Sequence, residues 1–205
     1  MRNRIFLLSP ANLGGTRARL VLNPDAKSDL ACRLRANGVA LGELFTFLSS
    51  LYFRGKLAYS KAFCLPPSAC SGSYVITANA GLLDPETIVV LDQVRGMAAA
   101  RIDAEERAYR APFELSCRLL SEKIDDSCDI VLLGSIATPK YVEPLLQIFG
   151  ERLLFPAEFV GRGDMSRGGL LLRAVKAQSE LAYTSVLSST RHGARPPKLL
   201  PVSRG

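Results

Sequence analysis

Four short apolar runs do most to limit the folds open to this chain: Arg4–Ser9 (RIFLLS), Tyr74–Ala78 (YVITA), Asp129–Leu133 (DIVLL) and Arg152–Phe155 (RLLF). Each has the length of a buried strand and is too short for a packed helix. The segments between them carry helical signals. Ser28–Asn37 begins on a Ser cap and stops at Gly38, and a helix under a Thr138 cap, with Pro139 in its first turn, runs through Phe149 to Gly150. Another helix leaves the loop after the fourth strand and reaches about Gln178. Strands alternating with helices predict an α/β protein, a three-layer α/β/α sandwich around a central, mainly parallel sheet of four to five strands. Residues 1–187 make one such domain, and 188–205 read as an irregular tail.

Some segments admit two readings. Arg17–Leu22 alternates and reads as an edge strand stopped by Asn23-Pro24. Leu41–Phe63 carries Leu44, Phe47, Leu48, Leu51, Leu57 and Ala58 on a helical stripe, as one long helix kinked at Gly55 or as two helices. Ile88–Ala100 fits an extended run or a helix. Ala104–Ile124 is helical, with Pro112 breaking it or opening a second helix. Leu181–Leu187 supplies a last strand.

No apolar run approaches the ~20 residues a spanning helix needs, so the sequence predicts a soluble, cytoplasmic protein with no membrane crossing. The basic start MRNR precedes an apolar run too short for a signal peptide. Five cysteines without a CxxC pair signal neither a disulfide framework nor a zinc ribbon, and read mostly as small core residues. The only histidine, His192, lies in the polar segment TRHGARPP, which disfavours Ser/His/Asp and Cys/His chemistry and histidine-built metal sites. A net charge of +7 favours polyanionic partners, nucleotide or nucleic acid.

If the strands are parallel, their exits gather on one sheet edge, where open α/β sheets bind ligands. Those exits are SPAN (Ser9–Asn12), TANAG (Thr77–Gly81), GSIAT (Gly134–Thr138) and PAEFVGRGD (Pro156–Asp164). The last is the richest. It leads through Arg162, Gly163, Asp164, Ser166, Arg167 and Gly168 into a helix whose N-terminus suits an anion, with Asp164 or Ser166 as cap and both arginines as donors. The competing structural reading has Asp164 capping, the arginines solvated and the glycines closing a turn. Ser9, Asn12, Asn79, Gly81, Gly134, Ser135 and Thr138 are candidate ligand contacts from the other exits. Arg54 and Lys56, beside Tyr52, Phe53 and Tyr59, suit phosphate holding and base stacking, or else the aromatics are core and the charges solvated. Glu158, Asp164 and Asp84 are the candidate acid/base groups. Partial burial would raise the pKa of Glu158, the first choice; an ordinary ion pair with Arg162 is its alternative.

The order of SxA near the N-terminus, LYFRGKLAYSKAF, VITANAGLLDP and a late strand with a Gly-rich helix start resembles an uncharacterised bacterial group, the DUF6884-type proteins. Through them the chain resembles the uracil-DNA-glycosylase-like α/β/α architecture. The GQDPYH-like and GEAPG-like motifs after the first strand and the HPSP-like histidine after the last are absent, so the resemblance implies the architecture rather than base excision. GxGxxG and Walker patterns are absent too, and no cofactor is indicated.

Two functions follow from these residues. One is an enzyme acting on a nucleotide or nucleic-acid base, with an anion site at the strand edge. The other is a non-catalytic nucleotide- or nucleic-acid-binding accessory protein.

Overall fold

A computed structural model describes residues 2–190 together with 193, 194, 196, 197 and 199. His192 and much of the expected tail lie outside the described residues. In chain order the elements are β1 (Arg4–Leu8), α1 (Thr16–Leu22), α2 (Asp29–Ala36), β2 (Val39–Ala40), α3 (Leu41–Ser49), α4 (Leu51–Phe63), β3 (Ser73–Ile76) and β4 (Leu82–Leu83). They continue with β5 (Ile88–Val89), α5 (Leu91–Ala99), α6 (Arg107–Ser121), β6 (Asp129–Leu133), α7 (Pro139–Phe149), β7 (Leu153–Pro156), α8 (Asp164–Ala177) and β8 (Tyr183–Ser185).

The main sheet has the order β4-β3-β1-β6-β7-β8. β3, β1, β6 and β7 are parallel, and β4 and β8 close the two edges antiparallel. Helices flank the sheet, giving the three-layer α/β/α sandwich. Ile5–Leu8 of β1 and Ile130–Leu133 of β6 are wholly buried, which is why these strands read as unbroken apolar runs instead of alternating ones. Among the described residues no helix is long and apolar enough to cross a membrane. Cys117 and Cys128 are core residues, while Cys32 is exposed.

Several expectations need correction. The main sheet has six strands where four to five were expected, the extra one being β4, which pairs through only Leu82 and Leu83. Two residues have no period to read. Arg17–Leu22 lies in helix α1: Ala18 and Val21, three apart, are its buried residues, so the apparent alternation is one short helical stripe. The break in Leu41–Phe63 falls at Ser50, held at φ 49°, between α3 and α4; Gly55 is inside α4. Helix α6 runs unbroken through Pro112, starting from Glu106, whose side chain accepts the Ala108 N–H. Ile88–Ala100 divides into β5 and α5. Ser28 and Thr138 stand at their N-cap positions without a side-chain cap bond.

Glycine is required at Gly55 for another reason. A Cβ there would lie 2.8 Å from the Gly168 carbonyl oxygen, and one on Gly168 would lie 2.8 Å from both Leu51 O and Tyr52 Cα. Helices α4 and α8 therefore cross backbone against backbone. A Cβ on the adjacent Gly169 would meet only Leu199 Cδ1, at 3.5 Å. Gly168→Ala is expected to lose about 1–3 kcal/mol by overpacking, more than it gains in helix propensity, whereas Gly169→Ala is expected to be neutral or stabilising by up to about 1 kcal/mol. Paired thermal melts check this, each kcal/mol moving the midpoint by roughly 2–4 °C.

Candidate functional site

The parallel strands place four exits on one edge. From β1 the chain first moves to one side to form β3, then returns to the other side of β1 to form β6. The crevice between β1 and β6 is thus the point where the winding reverses, where open α/β sheets leave room for a ligand. A Cβ on Gly134 would stand 3.1 Å from Ser9 Cβ, so these two exits lie side by side.

A cavity of about 640 Å³ opens above them, within the range of small-molecule sites. All four exits contribute to its wall: Ser9 and Asn12, Ala78, Ser135 and Thr138, and Asp164. Phe45, Tyr52, Met97, Ile102 and Tyr141 add apolar and aromatic lining, and Lys140 adds a charged group. Local turns shape the polar side. The Gly14 N–H donates to Asn12 Oδ1 at 2.9 Å and the Ala137 N–H to Ser135 Oγ at 3.3 Å. Helix α7 starts here with Pro139 in its first turn, and no side chain caps the backbone donors of that turn. Lys140 adds a cation, its Nζ 5.1 Å from the centre of the Tyr141 ring.

Beneath the floor lies Lys56, only 1% exposed. Its Nζ donates to the Ser9 carbonyl and stands 2.9 Å from Ser9 Oγ. The rings of Tyr52 and Phe53 flank it at 4.3 and 5.0 Å. Burial pushes the Lys56 pKa down to about 7, with Asp164 opposing the fall and Arg167 adding to it. The Tyr52 hydroxyl is buried without a hydrogen-bond partner, and burial pushes its pKa up to about 12 despite Arg167 nearby.

The structure separates the other candidate residues. Glu158 is exposed, and it is its backbone carbonyl that accepts Arg162 Nε, at 3.0 Å. The expected partial burial of Glu158 and its ion pair with Arg162 are therefore not found. Asp84 follows β4, which runs antiparallel, so it is carried back beside β3 instead of out to the exits; its Oδ1 accepts the Glu86 N–H. Of the three carboxylates only Asp164 reaches the cavity. It does not cap α8, whose N-cap is Gly163, and Ser166 does not either, its Oγ accepting Arg162 Nη1. Arg167 donates through Nε and Nη2 to the Phe159 carbonyl, and Arg162 also donates to Pro197 O. Both arginines brace the loop and line, with Gly134, a separate cavity of about 180 Å³. Gly168 belongs to the helix crossing. Gly81, at φ +68°, turns the chain from β3 into β4 against Pro112. Asn79 and Arg54 are exposed and line neither cavity, and Tyr52, Phe53 and Tyr59 are buried, so no exposed stacking face exists there.

Sequence reasoning missed Lys140 and Tyr141, one turn beyond the GSIAT exit; following that exit into the helix finds them. It also missed Met97 and Ile102, which no local pattern marks. Compared with family models, curated proteins and solved structures, the chain finds no match in any of the three.

An unfolded chain keeps the Lys56 proton to pH ~10.4, the folded one only to about 7. Between those values the unfolded state binds more protons, so stability rises with pH; the cost of burying Lys56 is full below pH 7 and gone above ~10.4. Lys56→Met removes that dependence. Its stability relative to wild type is expected to fall between pH 6 and 10 by on the order of 5 kcal/mol at most, read from urea midpoints of the two proteins across that range.

Proposed function

We propose that the cavity at the β1–β6 crevice is the active site of an enzyme directed at a nucleotide or nucleic-acid base. One observation carries this reading: a single cavity of about 640 Å³ is lined both by apolar and aromatic side chains and by polar groups from the strand exits, Lys140 and the start of α7. A base needs a flat apolar slot with a few hydrogen-bonding groups, which Tyr52, Tyr141, Asn12 and Ser135 supply. A phosphate needs backbone N–H groups and a cation, which α7 and Lys140 supply. Asp164 is the carboxylate within reach of a bound substrate. The net charge of +7 further favours an anionic ligand. That charge also favours the non-catalytic alternative, an accessory protein that binds nucleotide or nucleic acid and releases it unchanged.

Melting curves with nucleotides, free bases and short DNA and RNA strands, for wild type and Lys140→Ala, test the reading. A ligand at 100 times its Kd stabilises the native state by about 2.7 kcal/mol, or roughly 5–10 °C for a chain of this size. We expect such a shift with one nucleotide class and a reduced shift in Lys140→Ala. No shift with any of these ligands, or one that Lys140→Ala leaves intact, overturns the proposal. Chromatography of the bound ligand after incubation separates an enzyme, which yields a product, from an accessory protein, which returns the ligand intact.

A further inference from the structure

Beneath the cavity floor Lys56 meets Ser9, which lines the cavity, in an arrangement that binding alone does not need. Ser9 is 8% exposed and lines the cavity; its Oγ accepts from Lys56 Nζ at 2.9 Å and donates to the Leu133 carbonyl at 3.3 Å. A buried ammonium ordinarily sits against a carboxylate. Here the amine's polar partners are the Ser9 carbonyl and hydroxyl, and its other neighbours are two aromatic rings. A serine within hydrogen-bond reach of a desolvated amine is the nucleophile–base arrangement of Ser-Lys enzymes.

We infer that Ser9 is a nucleophile and Lys56 its general base, and that the pocket transfers an acyl group from a neutral carbonyl centre, an ester, thioester or mixed anhydride, through an ester on Ser9. The neutral Lys56 amine takes the Ser9 hydroxyl proton as Oγ bonds to the carbonyl carbon. The bond from that carbon to the leaving group then breaks, and the leaving group departs with the proton from Lys56. Water attacks the Ser9 ester, Lys56 takes its proton and returns one to Oγ, and the free acid leaves. The groups facing Lys56 are Asp164 and Arg167 from α8 and Tyr52 from its own helix, with Ser9 from the exit of β1. Burial outweighs Asp164 and keeps the amine available near neutral pH. A carbonyl substrate fits better than a phosphoryl one. Phosphoryl transfer calls for a clamp of cations around the centre, yet Arg162 and Arg167 are bound to backbone carbonyls and Asp164 places a negative charge on the wall. The Tyr52 hydroxyl, buried beside this floor close to Ser9 and Arg167, is a donor suited to a developing oxyanion.

This step rests on the pocket being an active site, with the acyl group carried on the nucleotide. Its test reads a covalent bond and so is independent of nucleotide binding. Wild type, Ser9→Ala and Lys56→Met, each shown folded by its melt, are incubated with an alkyl fluorophosphonate and followed by intact mass and peptide mapping. The expected result is a single adduct on Ser9, none in Ser9→Ala, and labelling on the order of 100-fold slower or worse in Lys56→Met. The wild-type rate should rise through a single ionisation near neutral pH that Lys56→Met lacks. Should Lys56→Met not fold, Ser9→Ala and the wild-type pH profile decide. No adduct on Ser9, or an adduct that forms equally fast in Lys56→Met or without that pH dependence, overturns the inference. A nucleotide-dependent melting shift without an adduct removes the Ser9–Lys56 pair and leaves the binding reading. An adduct without any nucleotide shift does the reverse.

Discussion

Helices α4 and α8 touch through their backbones at Gly55 and Gly168, and much of the site depends on that approach. The crossing fixes α4, which also packs against β1 and carries Lys56 to the Ser9 carbonyl. It also places the first turn of α8, with Asp164 and Arg167, near the amine and the Tyr52 hydroxyl. The glycines here serve a close approach, not a turn: both lie inside regular helix.

The balance of charge around Lys56 follows from what its neighbours are bound to. Desolvation is the largest influence on the amine, and Asp164 and Arg167 act on it in opposite senses. Arg167 is itself held by the Phe159 carbonyl and lies over the Phe159 ring at 5.3 Å. Asp164 is more than half exposed on its side chain and is weakened by solvent. The buried amine thus keeps hydrogen-bond partners at Ser9 but no strong charged one, and burial lowers its pKa to about 7.

The loop Pro156–Asp164 illustrates how a motif rich in charge can be structural in its arginines and exposed in its acid. Arg162 and Arg167 bind the Glu158 and Phe159 carbonyls of the 3-10 turn Ala157–Phe159, the latter also accepting the Arg162 N–H. The cation that borders the cavity is Lys140, from the neighbouring exit. Sequence spacing alone does not distinguish an arginine that meets a ligand from one that meets its own backbone, because the donor chemistry is the same.

What was legible in the residues was whatever is encoded locally. RIFLLS, YVITA, DIVLL and RLLF announce buried strands by their apolar runs, the helices after Ser28 and Thr138 by their starts, and the gathering of Ser9, Asn12, Ser135, Thr138 and Asp164 at one edge by strand exits of one kind. Helix α1 and strand β4 are too short to carry a period, so they were misread or missed. By sequence Glu158 ranks first and Asp84 stands beside Asp164, because a carboxylate after an apolar run looks the same whichever way its strand points. The antiparallel course of β4 and the exposure of the Ala157–Phe159 turn set them apart. The tertiary structure alone decided that Lys56, 47 residues from Ser9, loses its water and meets that serine. Desolvation and contact between distant segments depend on packing, and packing is settled only when the whole sheet and its two crossing helices close together.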